Sequence, residues 1–396
     1  MSFPRPVLWA VAFALLPWPS LAAQQADSSL LTLNRIFDSK DFAPERLGPV
    51  RWLEGQAAYV KLEPDSTVPG GRALVRYDAA TGRRDVWVAA NRLIPPGDSM
   101  PIAVEDYSIS PDKRRMLVFT SSQKVWRENT RGDFYSLDLS TWKLEKLGGS
   151  EAKPSTLMFA KFSPDGRRVA YVRENNLYVE NLDDGSITQL THDGSRTIIN
   201  GTFDWVYEEE LNLRDGFRWS PDGRRIAFWQ LDASGVRDFL LMDDTDSLYS
   251  FTIPVQYPKA GTTNSAARVG VVSADGGTPV WLAVPGDPRN NYIARLEWAA
   301  SPDEVVLEHL NRAQNTLEVM LGDARSGQVR TVLTERDSAW VDVVDDLRWI
   351  DGGKRFTWIS ERDGWRHLYV VSRDGDRKST RLNSSHEVPS RMPSSA

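Results

Sequence analysis

Three adjacent carboxylates follow a dense aromatic run in the stretch FDWVYEEEL, residues 203–211. Glu208, Glu209 and Glu210 could bind a cation, because a primary ammonium has three donors and can satisfy two carboxylates at once. The other interpretation is a solvated helix surface, where water screens the repulsion between like charges. Composition alone favours that surface. The aromatic residues favour a site, since they are expected to be partly buried and carboxylates beside buried rings need partners.

A candidate positive group is Arg127, in the stretch VWRENTRGDFY of residues 125–135. A guanidinium can donate hydrogen bonds from two of its N–H groups to a carbonyl oxygen. An arginine near two carboxylates could therefore bind a small zwitterion or a charged chain end. The alternative is structural. Beside Trp126 on a strand, the aliphatic stem of the arginine would pack while its head stayed exposed.

The sequence contains no assembled hydrolytic or metal-binding machinery. None of the 27 glycines belongs to a G-x-S-x-G nucleophile elbow, and no HExxH, cysteine cluster, EF-hand loop or Walker motif occurs. The positions of His192, His309 and His367 are typical of structural residues. We therefore expect no metal, no cofactor and no catalytic residue within this chain.

A repeated turn must position the charged residues. The pattern apolar-Ser-Pro-Asp-Gly-Arg-Arg occurs at residues 162–172 and 219–229, with weaker copies at residues 50–60, 109–119, 300–310 and 349–359. Proline fixes its own φ, aspartate hydrogen-bonds the turn backbone and glycine accepts positive φ, so each copy predicts a turn between two strands. Alternating strands and a second hairpin follow most copies. This predicts an all-β fold, a β-propeller of four-stranded blades with about six blades present.

The acidic stretch lies just before the turn that begins at Trp219, which makes it an insertion within a blade. It lacks β-alternation, so we predict a short helix that carries DWVYEEE, with Gly216 helping to end it.

The N-terminus predicts export. An apolar run from Val7 to Leu16 and a small-residue site at Ser20-Leu21-Ala22 are typical of a signal peptide, here residues 1–23. The mature protein is then expected to be soluble and either periplasmic or extracellular. The absence of cysteine favours a bacterial periplasm, since large secreted eukaryotic domains usually carry disulfides. A net charge of -6 argues against nucleic acid as a partner.

The composition changes abruptly at the C-terminus, where residues 376–396 contain no aromatic residue and no hydrophobic period. One interpretation is a flexible tail. The other comes from back-translation, because Asp376 to His386 can be encoded by a common sequencing-library adapter. We expect residues 376–396 to be a non-native tail, which leaves residues 24–375 as the folded domain.

Four stretches, taken in order and spacing, resemble the propeller of dipeptidyl peptidase IV and its bacterial relatives in the prolyl oligopeptidase clan of serine peptidases. They are DYSISPD at 106–112, VWR at 125–127, DWVYEEE at 204–210 and PVQYPKAGTTN at 254–264. DWVYEEE is highly specific, whereas many unrelated propellers use the Ser-Pro-Asp-Gly turn. The similarity runs from about Leu30 to Gly375.

The resemblance implies a substrate site. Glu209 and Glu210 would hold the free N-terminal ammonium of a peptide, and Arg127 would contact the carbonyl after its first residue. Trp205, Tyr207 and Glu208 would support them. Together these groups would measure off two residues, so that cleavage releases dipeptides ending in Pro or Ala.

The resemblance also implies parts that this chain lacks. A C-terminal α/β-hydrolase domain with the Ser, Asp and His of catalysis would follow an eight-bladed propeller, so we expect this truncated chain to be inactive alone.

An unclosed ring is also expected to aggregate. The family often dimerises partly through the absent domain, so the resemblance allows a homodimer of the full-length parent, while the sequence of this chain leaves the oligomeric state open. Val344 stands where relatives often have an aromatic wall, which puts the preference for the first substrate residue in doubt. A non-enzymatic periplasmic propeller and a catalytically dead homologue are the alternatives.

Overall fold

The computed structural model describes residues 30–44 and 47–375, together with the backbone of residues 380–381. The predicted signal peptide and the predicted non-native tail lie outside these residues, apart from that short backbone segment. Two short α-helices are present in the described part, α1 (Leu33–Phe37) and α2 (Trp205–Glu209), with two 3-10 turns at Ala90–Leu93 and Asp351–Gly353. Within the same residues, no helix has both the length and the apolar character needed to cross a membrane.

Antiparallel sheets account for the rest of the regular structure. The first sheet contains β1 (Arg51–Trp52), β2 (Ala58–Pro64), β3 (Arg72–Asp78) and β4 (Arg84–Val88). The second contains β5 (Asp106–Ile109), β6 (Arg115–Val125), β7 (Glu128–Asp138), β8 (Leu144–Lys146), β9 (Leu157–Phe162), β10 (Arg168–Arg173), β11 (Asn176–Asn181) and β12 (Ile187–Gln189).

The second half of the chain also consists of antiparallel sheets. Its first sheet contains β13 (Ile198–Asn200), β14 (Phe217–Trp219), β15 (Arg225–Asp232), β18 (Ala266–Ser273) and β19 (Val280–Trp281). A separate hairpin pairs β16 (Asp238–Asp243) with β17 (Phe251–Gln256). The last two sheets contain β20 (Asn291–Trp298), β21 (Glu304–Asn311), β22 (Thr316–Asp323), β23 (Val329–Arg336), and then β24 (Arg348–Ile350), β25 (Arg355–Ser360), β26 (His367–Ser372) and β27 (Thr380–Arg381). The predicted all-β class is confirmed, in a propeller-like succession of sheets.

The repeated turn has the predicted chemistry. In the copy at residues 162–172, Asp165 Oδ1 accepts from the N–H of Arg167 at 3.1 Å and from the hydroxyl of Ser163 at 2.5 Å. Gly166 has a φ of +72°, a left-handed conformation that glycine adopts without steric cost. The hydroxyl of Ser163 also accepts from the N–H of Arg168, which closes the turn onto the following strand.

The second arginine of each turn ties neighbouring repeats together. Arg115 Nη1 donates to the carbonyl of Gly166 at 3.0 Å, and Arg168 Nη2 donates to the carbonyl of Gly223 at 2.5 Å. Arg225 continues the series with a 3.1 Å bond to the carbonyl of Pro302. Each guanidinium therefore spans from its own turn to the turn of the next repeat. The sequence pattern predicted the turn but not this bridge.

Indole groups make a second set of links between the first strands of successive repeats. Trp219 Nε1 on β14 donates to the carbonyl of Lys161 on β9 at 3.2 Å. Trp298 Nε1 on β20 donates to the carbonyl of Arg218 on β14 at 3.0 Å. These bonds tie β9 to β14 and β14 to β20, so each of these sheets is linked to the next.

Candidate functional site

The acidic stretch interrupts a strand. Both β13 and β14 pair with β15, in register at Asn200 with Gln230 and at Phe217 with Phe228. Between them the chain leaves the sheet at Gly201 and returns at Gly216, and the N–H of Gly216 donates to the carbonyl of Gly201 at 3.0 Å.

A glycine is required where this excursion closes. A Cβ on Gly216 would lie 2.7 Å from the carbonyl carbon of Gly201, which is too close for any side chain. The prediction that Gly216 helps to end the helix is wrong, because α2 already ends at Glu209 with Glu210 as its C-cap. Gly216 instead lets the excursion return to the sheet.

Helix α2 begins at a buried cap. Asp204 is the N-cap and its Oδ1 accepts from the N–H of Tyr207 at 3.1 Å, which satisfies one of the free donors of the first turn. Its Oδ2 accepts from the hydroxyl of Ser265 at 2.6 Å. Burial raises the pKa of Asp204, against the lowering effect of these hydrogen bonds. The predicted short helix is therefore present, and its start is bound to Ser265, the residue just before β18.

The aromatic residues anchor α2 to the core. Tyr207 is buried and its ring stacks on Phe203, with ring centroids 5.4 Å apart. The hydroxyl of Tyr207 accepts from the backbone N–H of Ile293 on β20 at 3.1 Å. Trp205 is half-buried and lies against Tyr257, with centroids 4.3 Å apart. The helix thus contacts the next sheet on one side and the segment after β17 on the other.

The three adjacent glutamates occupy three different environments. Glu208 is buried, Glu209 is half-buried and Glu210 is exposed at the C-cap. A five-residue helix spreads consecutive side chains about 100° apart, so they cannot share one face. The interpretation of a uniformly solvated helix surface is wrong for Glu208 and Glu209.

Arg127 meets Glu209 directly. Its Nε lies 2.8 Å from Glu209 Oε1 and 2.7 Å from Glu209 Oε2. Arg127 is not within a strand, as its structural interpretation required, but in the two-residue turn between β6 and β7 that follows the pair Val125 and Glu128. The preceding Trp126 has a φ of +51° in this turn. The arginine side chain is 76% exposed, whereas that of Glu209 is 15% exposed.

Two charged residues near this pair were missed by sequence reasoning. Arg214 Nη2 lies 3.1 Å from Glu128 Oε1, and Arg214 Nη1 donates to Asn212 Oδ1 at 2.7 Å. Burial raises the pKa of Glu208 to about 7, and the positive charge of Arg214 opposes this rise. The signal in the sequence was an arginine four residues after the acidic run, which alone does not distinguish a partner from a surface residue.

A cavity of about 560 Å³ is lined by Asn212 and Leu213 of the acidic excursion. Its lining also includes Val344, Trp349 and Glu308. Glu308 is buried and its Oε2 accepts from the N–H of Val344 at 3.2 Å. Burial raises the pKa of Glu308 to about 8. The segment that contains Val344 is thus held by a buried carboxyl on the neighbouring sheet.

Comparison with known proteins identifies the family to which this arrangement belongs. The model of the dipeptidyl peptidase IV N-terminal region matches residues 110–390, more than two thirds of the 396 residues. The chain belongs to the dipeptidyl peptidase IV family. It represents an N-terminal portion of a member of that family, as the sequence resemblance predicted.

Individual relatives agree with this assignment. A probable dipeptidyl peptidase 4 of Emericella nidulans is 27% identical over 91% of this chain and 47% of its own length. Dipeptidyl aminopeptidase B of Saccharomyces cerevisiae is 30% identical over 64% of this chain and 31% of its own length. The chain therefore spans about half the length, or less, of these curated relatives of the family.

Solved structures resemble this one in fold. Porphyromonas gingivalis dipeptidyl peptidase 4 superposes with a TM-score of 0.78 at 28% identity, covering 89% of this chain and 49% of that protein. A putative dipeptidyl aminopeptidase IV from Bacteroides ovatus has a TM-score of 0.62 at 22% identity, covering 83% of this chain and 43% of that one. At that identity the second likeness concerns the fold alone.

Proposed function

We propose that the full-length protein is an exported serine-type peptidase that releases N-terminal dipeptides, Xaa-Pro or Xaa-Ala, from peptides with a free N-terminus. The sheets described here would form the propeller that recognises this N-terminus and gates access of the substrate. The observation that carries the proposal is the contact between Arg127 and Glu209, which joins a hairpin turn to the helix of the acidic excursion.

Each charged group has a distinct role in the proposal. The carboxylates of Glu209 and Glu210 accept hydrogen bonds from the substrate ammonium, which has three donors. Arg127 exchanges part of its contact with Glu209 for the carbonyl of the first substrate residue. Its side chain is 76% exposed, which leaves room for this change of partner. Trp205, Tyr207 and Glu208 hold the helix in place.

This arrangement explains selectivity for chain ends. A peptide with a blocked N-terminus, or an internal stretch of chain, would cover the two carboxylates without supplying donors. Carboxylates that lose water without gaining a partner are strongly unfavourable. A site built to hydrogen-bond one group rejects analogues that lack it by a large factor. The pair of glutamates would therefore measure the distance from the N-terminus to the bond that is cut.

The catalytic groups are proposed to lie in a C-terminal α/β-hydrolase domain of the parent protein. The relatives about twice as long as this chain support this placement. The six repeats that begin with β1, β5, β9, β13, β20 and β24 would be blades of an eight-bladed ring. We infer that the 396 residues alone do not hydrolyse dipeptide substrates.

Two measurements test this proposal. Sequencing the genomic DNA downstream of the codon for Gly375 is expected to find a G-x-S-x-G motif in a strand-turn-helix context. A stop codon at that position would instead favour a non-enzymatic binding propeller. Assaying the 396-residue chain with a chromogenic Gly-Pro amide is expected to give no turnover, and clear turnover would refute the inferred inactivity.

A homodimer of the full-length parent is the second part of the proposal. The hairpin of β16 and β17 pairs with no other described strand. Its large apolar side chains are exposed, namely Phe239, Leu240, Leu241, Met242, Phe251 and Ile253. A cluster of this kind on a protein surface is typical of an interaction site. We propose a second copy of the chain as its occupant, because two edges of one hairpin can pair around a two-fold axis.

A further inference from the structure

The pair of Arg127 and Glu209 is one of two charged contacts that join the same two elements. The second contact links Glu128, the residue after Arg127, to Arg214, which follows α2. Arg214 Nη2 lies 3.1 Å from Glu128 Oε1. Both contacts therefore connect the hairpin of β6 and β7 to the acidic excursion.

Arg214 also faces the interior of the excursion. Its side chain is only 22% exposed, and its Nη1 donates to Asn212 Oδ1 at 2.7 Å. Among the described residues, Nε of Arg214 and Oε1 of Glu208 are both buried without a hydrogen-bond partner. The charge of Arg214 acts on Glu208 more strongly than that of Glu209, Glu128 or Asp204. The positive charge of Arg214 thus opposes the rise in the pKa of buried Glu208, while its Nη2 binds Glu128 of the hairpin.

The hairpin geometry transmits this contact to Arg127. Glu128 pairs with Val125, so the turn between them consists of Trp126 and Arg127 alone. A two-residue turn leaves little freedom, and Trp126 occupies a left-handed conformation there. Fixing Glu128 thus fixes the position from which Arg127 reaches Glu209.

We propose that Arg214 is a positioning residue, which holds the hairpin turn against α2 so that Arg127 is placed for the substrate carbonyl. This inference rests on the proposed function, since it assigns Arg214 a role in the same site. Arg214 itself does not touch the substrate. It acts through Glu128 and Arg127. Loss of Arg214 therefore lowers activity only because it displaces Arg127.

The experiment measures steady-state kinetics of the full-length protein with a chromogenic Gly-Pro amide. The variants are Arg214→Met, Arg127→Met and the double variant, with Arg214→Lys and Glu128→Gln as conservative changes. Arg325→Met is the matched control, since Arg325 forms an ion pair with Asp303 in a different sheet. Thermal unfolding of each variant accompanies the assay.

We expect Arg214→Met to raise KM about five- to tenfold while kcat changes less than about twofold, since Arg214 aids binding and not chemistry. Arg214→Lys should restore part of the loss, and Glu128→Gln should raise KM in the same direction. In the double variant, Arg214→Met should add less than about twofold to the effect of Arg127→Met, because residues that act through one another are not additive. Arg325→Met should behave as wild type.

Three results would overturn the inference: an unchanged KM in Arg214→Met, effects of Arg214→Met and Arg127→Met that multiply, or an unchanged KM in Glu128→Gln. If Arg214→Met does not fold, Glu128→Gln and Arg214→Lys decide the question, because both keep the shape of the site. A wild-type protein without dipeptide release would refute the proposed function itself, which keeps the two failures distinct.

Discussion

The hydroxyl of Tyr207 accepts a hydrogen bond from the backbone N–H of Ile293 at 3.1 Å, across the boundary between α2 and β20. Tyr207 is buried, and its ring also stacks on Phe203. A helix of five residues has little stability of its own, because nucleation fixes several residues for few hydrogen bonds. The position of the acidic run therefore depends on tertiary contacts such as this one.

Replacing Tyr207 with Phe tests this anchor. The change keeps the ring but leaves the N–H of Ile293 buried without an acceptor, which costs about 1–3 kcal/mol. We expect the midpoint of urea unfolding to fall accordingly. Tyr249→Phe is the control, since Tyr249 is 81% exposed and should show no change. A Tyr207→Phe variant as stable as wild type would mean that this hydrogen bond does not hold the helix.

Stability is expected to depend on pH through two buried glutamates. Burial raises the pKa of Glu208 to about 7 and that of Glu308 to about 8, from an ordinary value of 4.5. The folded state then retains protons that the unfolded state has lost. The stabilising contribution is complete below about pH 4.5, declines as pH rises, and is lost above about pH 8.

Glu308→Gln isolates one part of this dependence. Glutamine is neutral in both states and keeps an oxygen that can accept from the N–H of Val344. The stability of this variant relative to wild type should therefore increase between pH 5 and pH 9, as measured by thermal unfolding. Glu151→Gln, at an exposed loop position, should give a difference that does not vary with pH. The same flat result for Glu308→Gln would contradict the prediction.

The two arginines of one turn should differ sharply in their effect on stability. Arg115 donates to the carbonyl of Gly166 in the next repeat and its side chain is 15% exposed, whereas that of Arg114 is 81% exposed. We expect Arg115→Met to cost about 1–2 kcal/mol, because a charged hydrogen bond between repeats is lost. Arg114→Met should change stability by less than about 0.5 kcal/mol. Equal effects in urea unfolding would rule out the bridge as a stabilising contact.

The proposed homodimer can be tested at the exposed hairpin. Leu240 and Met242 lie two residues apart on β16, so their side chains share one face. Replacing both with Asp should convert the full-length protein to a monomer in light scattering coupled to size-exclusion chromatography. Met100→Asp, at another exposed apolar position, should leave the mass unchanged. A dimer that persists in the double variant would exclude this surface.

The all-β fold was predictable from the sequence because its turns and strands are specified by residues that are close together in the chain. Each Ser-Pro-Asp-Gly turn has its own conformational requirements, and the alternating strands on either side follow from residue types. The pairing of β13 and β14 with a single partner strand was not predictable. It depends on the close approach of Gly201 and Gly216 at the two ends of the acidic excursion, which only the folded structure shows.

The candidate site was predictable only in part for the same reason. DWVYEEE and Arg127 stood out through motif resemblance, and the structure places Arg127 against Glu209. The separate environments of Glu208, Glu209 and Glu210 arise from the geometry of a short helix and from what packs behind it. Arg214 carries no motif, so only the three-dimensional structure brings it to Glu128.

The most direct test of the account compares free and N-acetylated Ala-Pro amides as substrates of the full-length protein. Wild type should cleave the free form far faster. In Glu209→Gln and Glu210→Gln, kcat/KM for the free form should fall at least about tenfold, because a charged hydrogen bond to the ammonium is lost, and the preference over the acetylated form should shrink. Glu151→Gln should match wild type. If both glutamate variants keep the wild-type kcat/KM and the wild-type preference, the acidic run does not bind the substrate N-terminus.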